Sequence, residues 1–371
     1  MGQANAVSAV LRSVAFADLP GWTVHDHEGA SHALRRSCRE ILETGIGFSR
    51  PVRFGGTRSS WLDVCREAMD ARNWADFFEN RFRAFRVVDE EKPEGLFTGY
   101  FEPVVQGSRR PGGAFRVPLY RRPPDLVQFT EEERLRSGLA FGRRIGGKPI
   151  PYHSRREIEE GVLEAQDLEF IWLKDWAEAF FIHVQGSGRV ELDDGTTLRL
   201  AYEAKSGLPY TSIGSLLVGR GILGAESVSL QTIRSWMAEH PREARELMWE
   251  NQSFVFFREA KFDDPELGSY GAQHVQLTPR RSLAVDRSLW MFGTPVWLDT
   301  AAPAVQADGM TPFRQLLIAQ DTGSAIRGAA RGDVYWGFGE EAAEIAGPMK
   351  SPGTMTVLLP VPVAEELGLP S

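Results

Sequence analysis

Apolar residues recur at three- and four-residue spacing in "SHALRRSCREILETG" (31–45). Ala33, Leu34, Cys38, Ile41 and Leu42 share one face and Gly45 follows as a stop, so the spacing predicts a helix. The same period in "SSWLDVCREAMDAR" (59–72) and "NWADFFENRFRAFRV" (73–87) predicts two more. From "EGLFTGYFEPVVQGSRRPGGAFRVPLYRRPPDL" (94–126) onward the apolar runs shorten and are bounded by Gly and Pro, the signature of strands and turns. "AFFIHVQGSGRVELDDGTTLRLAYEA" (179–204) reads as strand, loop, strand, turn, strand, with Asp-Gly in "DDGT" marking a hairpin. Two helices are expected next, at 229–240 with Ser229 as cap and at 241–252 with Pro241 in its first turn. After Ser253 strands and turns return.

The 371 residues suggest two or three domains. Apolar content of 42% and charged content of 25% suit a globular core. A net charge of −8 without a basic stripe argues against nucleic acid as a partner. No apolar run is long enough to span a bilayer, and the N-terminus lacks the basic and apolar regions of a signal peptide. The two cysteines, Cys38 and Cys65, are either buried thiols or one disulfide closing a loop of about 27 residues, worth about 3 kcal/mol. The compartment decides between them, and export favours the disulfide.

Several short patterns carry candidate chemistry. "GRGILG" (219–224) has the glycines of a dinucleotide loop but no βαβ surroundings, so it reads as a turn. "HDHEGASH" gathers His25, His27 and His32, yet lacks the i, i+4 pair and the further ligands of a metal site, and no metal is expected. "IAQDTGSAIRG" places Asp321 in the Asp-Thr-Gly of an aspartic protease. That chemistry needs two carboxylates about 3 Å apart, and this chain has one such motif. Two other aspartates lie in related settings: Asp286 in "LAVDRSLWMFGTPV" and Asp333 in "GDVYWG". Each ends or begins an apolar run beside a turn, where a rigid scaffold places function.

"FTGYFEPVVQGSRRPGGAFRVPLYRRPPDL", "FFIHVQGSGRVELDDG", "YTSIGSLLVGRGIL", "ENQSFVFFRE", "AVDRSLWMFGTPVWLD" and "AQDTGSAIRGAARGDVYWGFGEEAAEIAGPMKSPG" together resemble, in this order, the membrane-bound lytic murein transglycosylase A family, whose C-terminal module is the three-aspartate (3D) domain. The resemblance runs from about "ADLPGW" to "TVLLP". It implies a mainly β protein with N-terminal helices: a double-psi β-barrel domain over 1–103 and 241–371, an inserted β domain over 104–240, and a groove between them. It also implies cleavage of the β-1,4 bond between N-acetylmuramic acid and N-acetylglucosamine in peptidoglycan, leaving a 1,6-anhydromuramoyl end. One carboxyl with a raised pKa would protonate the leaving oxygen and then, as carboxylate, take the proton of the attacking C6 hydroxyl. A hydrolase normally uses two carboxylates.

The family's acid falls on Asp333, with Asp321 and Asp286 in support and Val334, Tyr335 and Trp336 to desolvate it. Thr98, Gly99 and Tyr100 of "FTGYFEP", Gln185, Gly186, Ser187 and Gly188 of "HVQGSG", and Tyr335 are implied glycan contacts. Tyr100 reads equally as a core aromatic of its strand. At "AARGD" the chain is one residue longer than the family's pattern, and no cysteine stands where the family's lipid anchor would need it. The resemblance implies a monomer without cofactor, periplasmic or associated with the outer membrane, acting on glycan strands alongside other cell-wall enzymes. The negative net charge offers no attraction to an anionic wall, so binding rests on shape and hydrogen bonds. A muramidase-like hydrolase and a non-catalytic glycan-binding protein are the competing functions.

Overall fold

The computed structural model describes residues 9–89, 94–262, 264–305 and 309–370. It divides into two compact units. The first runs up to Phe101 and resumes over Asp264–Gly337 and from Glu341 onward; the second is Glu102–Asp263 with Phe338–Glu340.

In the first unit, six strands form a closed ring. Gly95–Glu102, Lys350–Pro360, Pro295–Pro303, Met310–Asp321, Ser282–Val285 and Arg331–Phe338 follow one another around it, and Arg331–Phe338 meets Gly95–Glu102 again. Ser282–Val285 runs parallel to Met310–Asp321, whereas it pairs antiparallel with Arg331–Phe338, and Pro295–Pro303 pairs antiparallel with Met310–Asp321 and Lys350–Pro360, as does Lys350–Pro360 with Gly95–Glu102. A closed six-stranded ring is what the expected double-psi barrel requires. Strands Phe82–Asp89 and Ala9–Val14 continue the sheet from Lys350–Pro360.

The helix His27–Glu43 begins where the Asp26 side chain accepts the Gly29 N–H at 3.1 Å. Its apolar face, including Ala30, Ala33, Leu34 and Ile41, is fully buried. Among these residues lies a polar network. Ser37, Gln273, Ser282 and Gln320 are each 0% exposed. The Ser37 hydroxyl donates to Gln273 Oε1 at 2.7 Å and accepts from Gln320 Nε2 at 2.8 Å. Gln320 Nε2 also donates to the Ala33 carbonyl at 2.9 Å, and Gln320 Oε1 accepts from Ser282 at 2.5 Å. The large majority of buried polar groups in folded proteins are paired in this way.

The second unit carries a six-stranded sheet in the order Val255–Glu259, Thr197–Lys205, Ser187–Leu192, Val104–Ser108, Glu169–Leu173, Val117–Tyr120. Its core includes Val105, Leu119, Ile171, Val190, Leu200 and Phe257. The expected hairpin at "DDGT" joins Ser187–Leu192 to Thr197–Lys205, with Gly195 at φ 83°. Helices Leu230–Glu239, capped by Ser229, and Pro241–Glu250 lie where the sequence places them.

Four expectations are corrected. The helix expected over 73–87 ends at Arg81, and Phe82–Asp89 is a strand. Its Phe and Ala spacing fits a helix, but two neighbouring strands take up its backbone hydrogen bonds, and tertiary pairing outweighs local period. The run expected as a strand at 179–185 lies in the helix Trp176–Gln185, closed by Gly186 in the left-handed region. Ala179, Phe180, Phe181, Ile182 and His183 are all buried, so no polar face betrays the helical period. Pro241–Glu250 and Val255–Glu259, expected with the barrel, belong to the second unit: the strand pairs with Thr197–Lys205, and Leu247 and Met248 pack with Phe181 and Leu217. Cys38 and Cys65, expected to be bonded, are free buried thiols. They lie on the packed faces of His27–Glu43 and Ser59–Asp70, and the thiols meet by a hydrogen bond that, after burial itself, pushes Cys38 well above the usual thiol range.

Ser37→Ala removes the donor to Gln273 Oε1 and one acceptor of Gln320. An unsatisfied buried amide costs about 1–3 kcal/mol, and that loss is expected in urea unfolding.

Candidate active site

Asp321 is the last residue of Met310–Asp321, immediately after buried Gln320. The parallel register with Ser282–Val285 jumps here, from Leu283 opposite Ala319 to Ala284 opposite Asp321. Such a bulge re-aims a side chain, and here it turns two successive residues to different uses. Asp321 Oδ1 accepts from the Ala272 N–H at 2.9 Å and Oδ2 from the Tyr100 hydroxyl at 2.9 Å. Glycine at 271 is required for the approach of that loop: a Cβ there would stand 2.7 Å from the Gln320 carbonyl oxygen.

Asp333 is the third residue of Arg331–Phe338 and sits opposite Ala284. Its Oδ1 accepts from the Thr98 hydroxyl. The Thr98 oxygen in turn accepts from Arg331 Nη2 at 2.8 Å. Burial pushes Asp333 above the ordinary carboxyl value, against the opposing pull of Arg331 and of the Thr98 bond. Asp321 is also raised, by burial first and further by the Asp333 charge, against the Ala272, Thr322 and Tyr100 donors. The Tyr100 ring lies 5.3 Å from that of Tyr335, and burial followed by the Asp321 charge holds its hydroxyl well above the usual phenol range. Two carboxyls of raised proton affinity thus share one neighbourhood, the kind of setting in which acid–base groups cluster.

The third aspartate has a different setting. Asp286 is 2% exposed, in the turn after Ser282–Val285. It accepts from the Ser288 hydroxyl at 2.6 Å, the Ser288 N–H at 3.0 Å and the Gly328 N–H at 3.0 Å, and pairs with Arg327 at 3.4 Å. Burial alone would raise it, but these donors outweigh burial and hold it below the ordinary value. With the Thr322 hydroxyl on the Val285 carbonyl at 2.8 Å and Trp290 Nε1 on the Ala329 carbonyl at 3.0 Å, Asp286 fastens the loop between Asp321 and Asp333.

The other expected contacts divide. Thr98 bonds Asp333, Tyr100 bonds Asp321, and Tyr335 packs against the Tyr100 ring. Gly99 is confined by packing: a Cβ would stand 2.7 Å from the Trp336 ring and 2.8 Å from Ala346 Cα. Gln185, Gly186, Ser187 and Gly188 lie in the second unit, where Trp176–Gln185 gives way to Ser187–Leu192. No three His, Cys, Asp or Glu side chains gather as metal ligands among the described residues. His25 instead accepts the Leu316 N–H at 3.3 Å, and burial, with Arg281 beside it, lowers its pKa to about 4. Two participants escaped the sequence reading. Arg331 was discoverable, because residues i and i+2 of a strand share a face. The Ala272 N–H leaves no side-chain signal.

Residues 96–258 match the family model described as the MltA specific insert domain, and residues 281–359 match the 3D domain. A membrane-bound lytic murein transglycosylase A of Vibrio cholerae is 35% identical over 260 residues, 69% of this chain and 62% of that protein. The match therefore spans less than two thirds of the length of that curated relative. The crystal structure of a membrane-bound lytic murein transglycosylase from Agrobacterium tumefaciens is 36% identical, with 96% of this chain and 99% of that one covered at a TM-score of 0.84. A structure of E. coli MltA with bound chitohexaose is 27% identical, covering 96% of this chain and 93% of that one, at a TM-score of 0.67.

Because its folded pKa is depressed, Asp286 contributes stability that is present above its unfolded value and lost as pH falls through its folded one. Asp286→Asn is expected to cost about 1–3 kcal/mol in urea unfolding at neutral pH. The gap to the wild type should narrow as the medium is acidified through the carboxyl range.

Proposed function

The chain belongs to the membrane-bound lytic murein transglycosylase A family, and we propose that it cleaves the β-1,4 bond between N-acetylmuramic acid and N-acetylglucosamine of peptidoglycan, with formation of a 1,6-anhydromuramoyl end. The observation that carries this reading is Asp333, a carboxyl raised by burial, with one oxygen engaged by Thr98 and the other without a hydrogen-bond partner among the described residues. That free oxygen, Oδ2, delivers a proton to the glycosidic oxygen as the bond to C1 breaks. The carboxylate left behind then takes the C6 hydroxyl proton as that oxygen attacks C1. No water enters, so a single carboxyl serves both steps.

Asp321 holds Tyr100 and closes the Ala272 loop beside the acid, while Asp286 keeps the intervening loop in place. In the second unit, Gln185 and Ser187 are proposed to bond sugar hydroxyl and acetamido groups. The binding of chitohexaose described for the E. coli protein supports a glycan ligand here. The glycan is that of the cell wall, so the place of action is the periplasm. The chain is proposed to act as a monomer.

Asp333→Asn is expected to lower product formation from purified sacculi by at least about 10²–10⁴, the usual worth of general acid catalysis, with the melting temperature retained. Mass spectrometry of wild-type digests should show muropeptide ends about 18 Da lighter than hydrolysed ends. Reducing muramic acid ends would instead make the protein a hydrolase. Absence of any wild-type turnover would make it a glycan-binding protein, and a variant with most of the wild-type rate would remove Asp333 from the role of acid.

The pH dependence follows from the same carboxyl. The acid works only while protonated, so kcat/KM should fall as pH rises through the elevated Asp333 value. The alkaline limb is therefore expected above the ordinary range of an aspartate, and a limb within that range would contradict the assignment.

A further inference from the structure

We infer that Arg331 is a positioning residue for Asp333, acting through the Thr98 hydroxyl to direct the acid's proton to Oδ2. The inference rests on the reading of Asp333 as the acid, and it follows from counting donors. A guanidinium has only donors, and a hydroxyl has one hydrogen. Arg331 Nη2 donates to the Thr98 oxygen at 2.8 Å, so the single Thr98 hydrogen is left for Asp333 Oδ1. With Oδ1 held as an acceptor, the carboxyl proton resides on Oδ2.

The arginine is itself held in place. Its Nη1 donates to the Leu96 carbonyl at 3.4 Å and to the Gly332 carbonyl. Its guanidinium therefore reaches across from Arg331–Phe338 to Gly95–Glu102, and it makes no ion pair with Asp333 among the described residues. This arrangement serves both proton transfers. A cation paired directly with the carboxylate would drain the acid of its proton. One set behind a hydroxyl orients the group and steadies the carboxylate once the proton has left.

The charged and titratable groups that face Asp333 come from three strands. Arg331 lies on its own strand, Asp321 on Met310–Asp321, and Tyr100 on Gly95–Glu102. Arg331 is the cation among them, so its removal should raise the proton affinity of Asp333.

The test is a carbon-13 carboxyl NMR titration of Asp333, its resonance identified by its loss in Asp333→Asn. It is run on the wild type, Arg331→Gln, Thr98→Val, Thr98→Ser and the Arg331→Gln/Thr98→Val double variant, each checked by melting temperature. Arg331→Gln and Thr98→Val should each raise the Asp333 pKa, and the double variant should raise it by less than the sum of the two. Thr98→Ser, which keeps the hydroxyl, should restore the wild-type value. In turnover, Arg331→Gln should lower kcat about ten-fold, the equivalent of one such hydrogen bond, with KM within about two-fold. An unchanged Asp333 titration in Arg331→Gln, or strictly additive shifts in the double variant, would overturn the inference and leave Arg331 as a tie between strands. If the titrations behave as expected while the wild type releases no glycan product, the relay stands and the lytic reading falls.

Discussion

Everything in the first unit depends on the register of one parallel strand pair, and that register is held by buried amide and hydroxyl groups. Gln320 points into the core, where the Ala33 carbonyl and Ser37 take both of its amide hydrogens and Ser282 donates to its Oε1. A slip of one residue would exchange the faces of Gln320 and Asp321, taking the amide from Ser37 and Ser282 and the carboxyl from Ala272 and Tyr100. Van der Waals packing alone tolerates such shifts better than a set of directed hydrogen bonds does. The network therefore supplies specificity of register, and the bulge beside it converts that register into the aim of Asp321.

The three aspartates show how one residue type is given separate tasks. Asp286 is the least accessible, yet its environment holds it ionised, because Ser288, Gly328 and Arg327 supply donors on both oxygens. Asp333 and Asp321 meet fewer or weaker compensations relative to their burial, and both retain protons more tightly than a free side chain. The balance between burial and the number and charge of the donors sets the outcome.

Much of this was legible in the chain itself. The aspartates stood out because each lay where an apolar run met a turn, and the N-terminal helices because their faces were amphipathic. Phe82–Asp89 was hidden by an apolar spacing that suits both a helix and a strand buried on both sides. Trp176–Gln185 was hidden for the opposite reason: five successive buried residues, Ala179 to His183, show no period. Gly99 was expected among the glycan contacts; that a Cβ there would meet Trp336 is a packing constraint no glycine shows in the sequence. The Ala272 N–H was beyond reach, since a backbone donor acts without regard to the side chain that marks it in the sequence.

The ring is sealed by Lys350–Pro360, which pairs along its length with Gly95–Glu102, Pro295–Pro303 and Phe82–Asp89. Two of those partners leave the ribosome roughly 250 residues before it, at the usual pace a delay of the order of ten to fifty seconds. Over that interval the early strands carry unpaired edges, while most of the second unit is synthesised as one continuous segment. Thr98 and Asp333 stand 235 positions apart in the chain, so this carboxyl meets its donor only after that long loop has closed. A nascent chain is thus without the Thr98–Asp333 pair for nearly the whole of its synthesis.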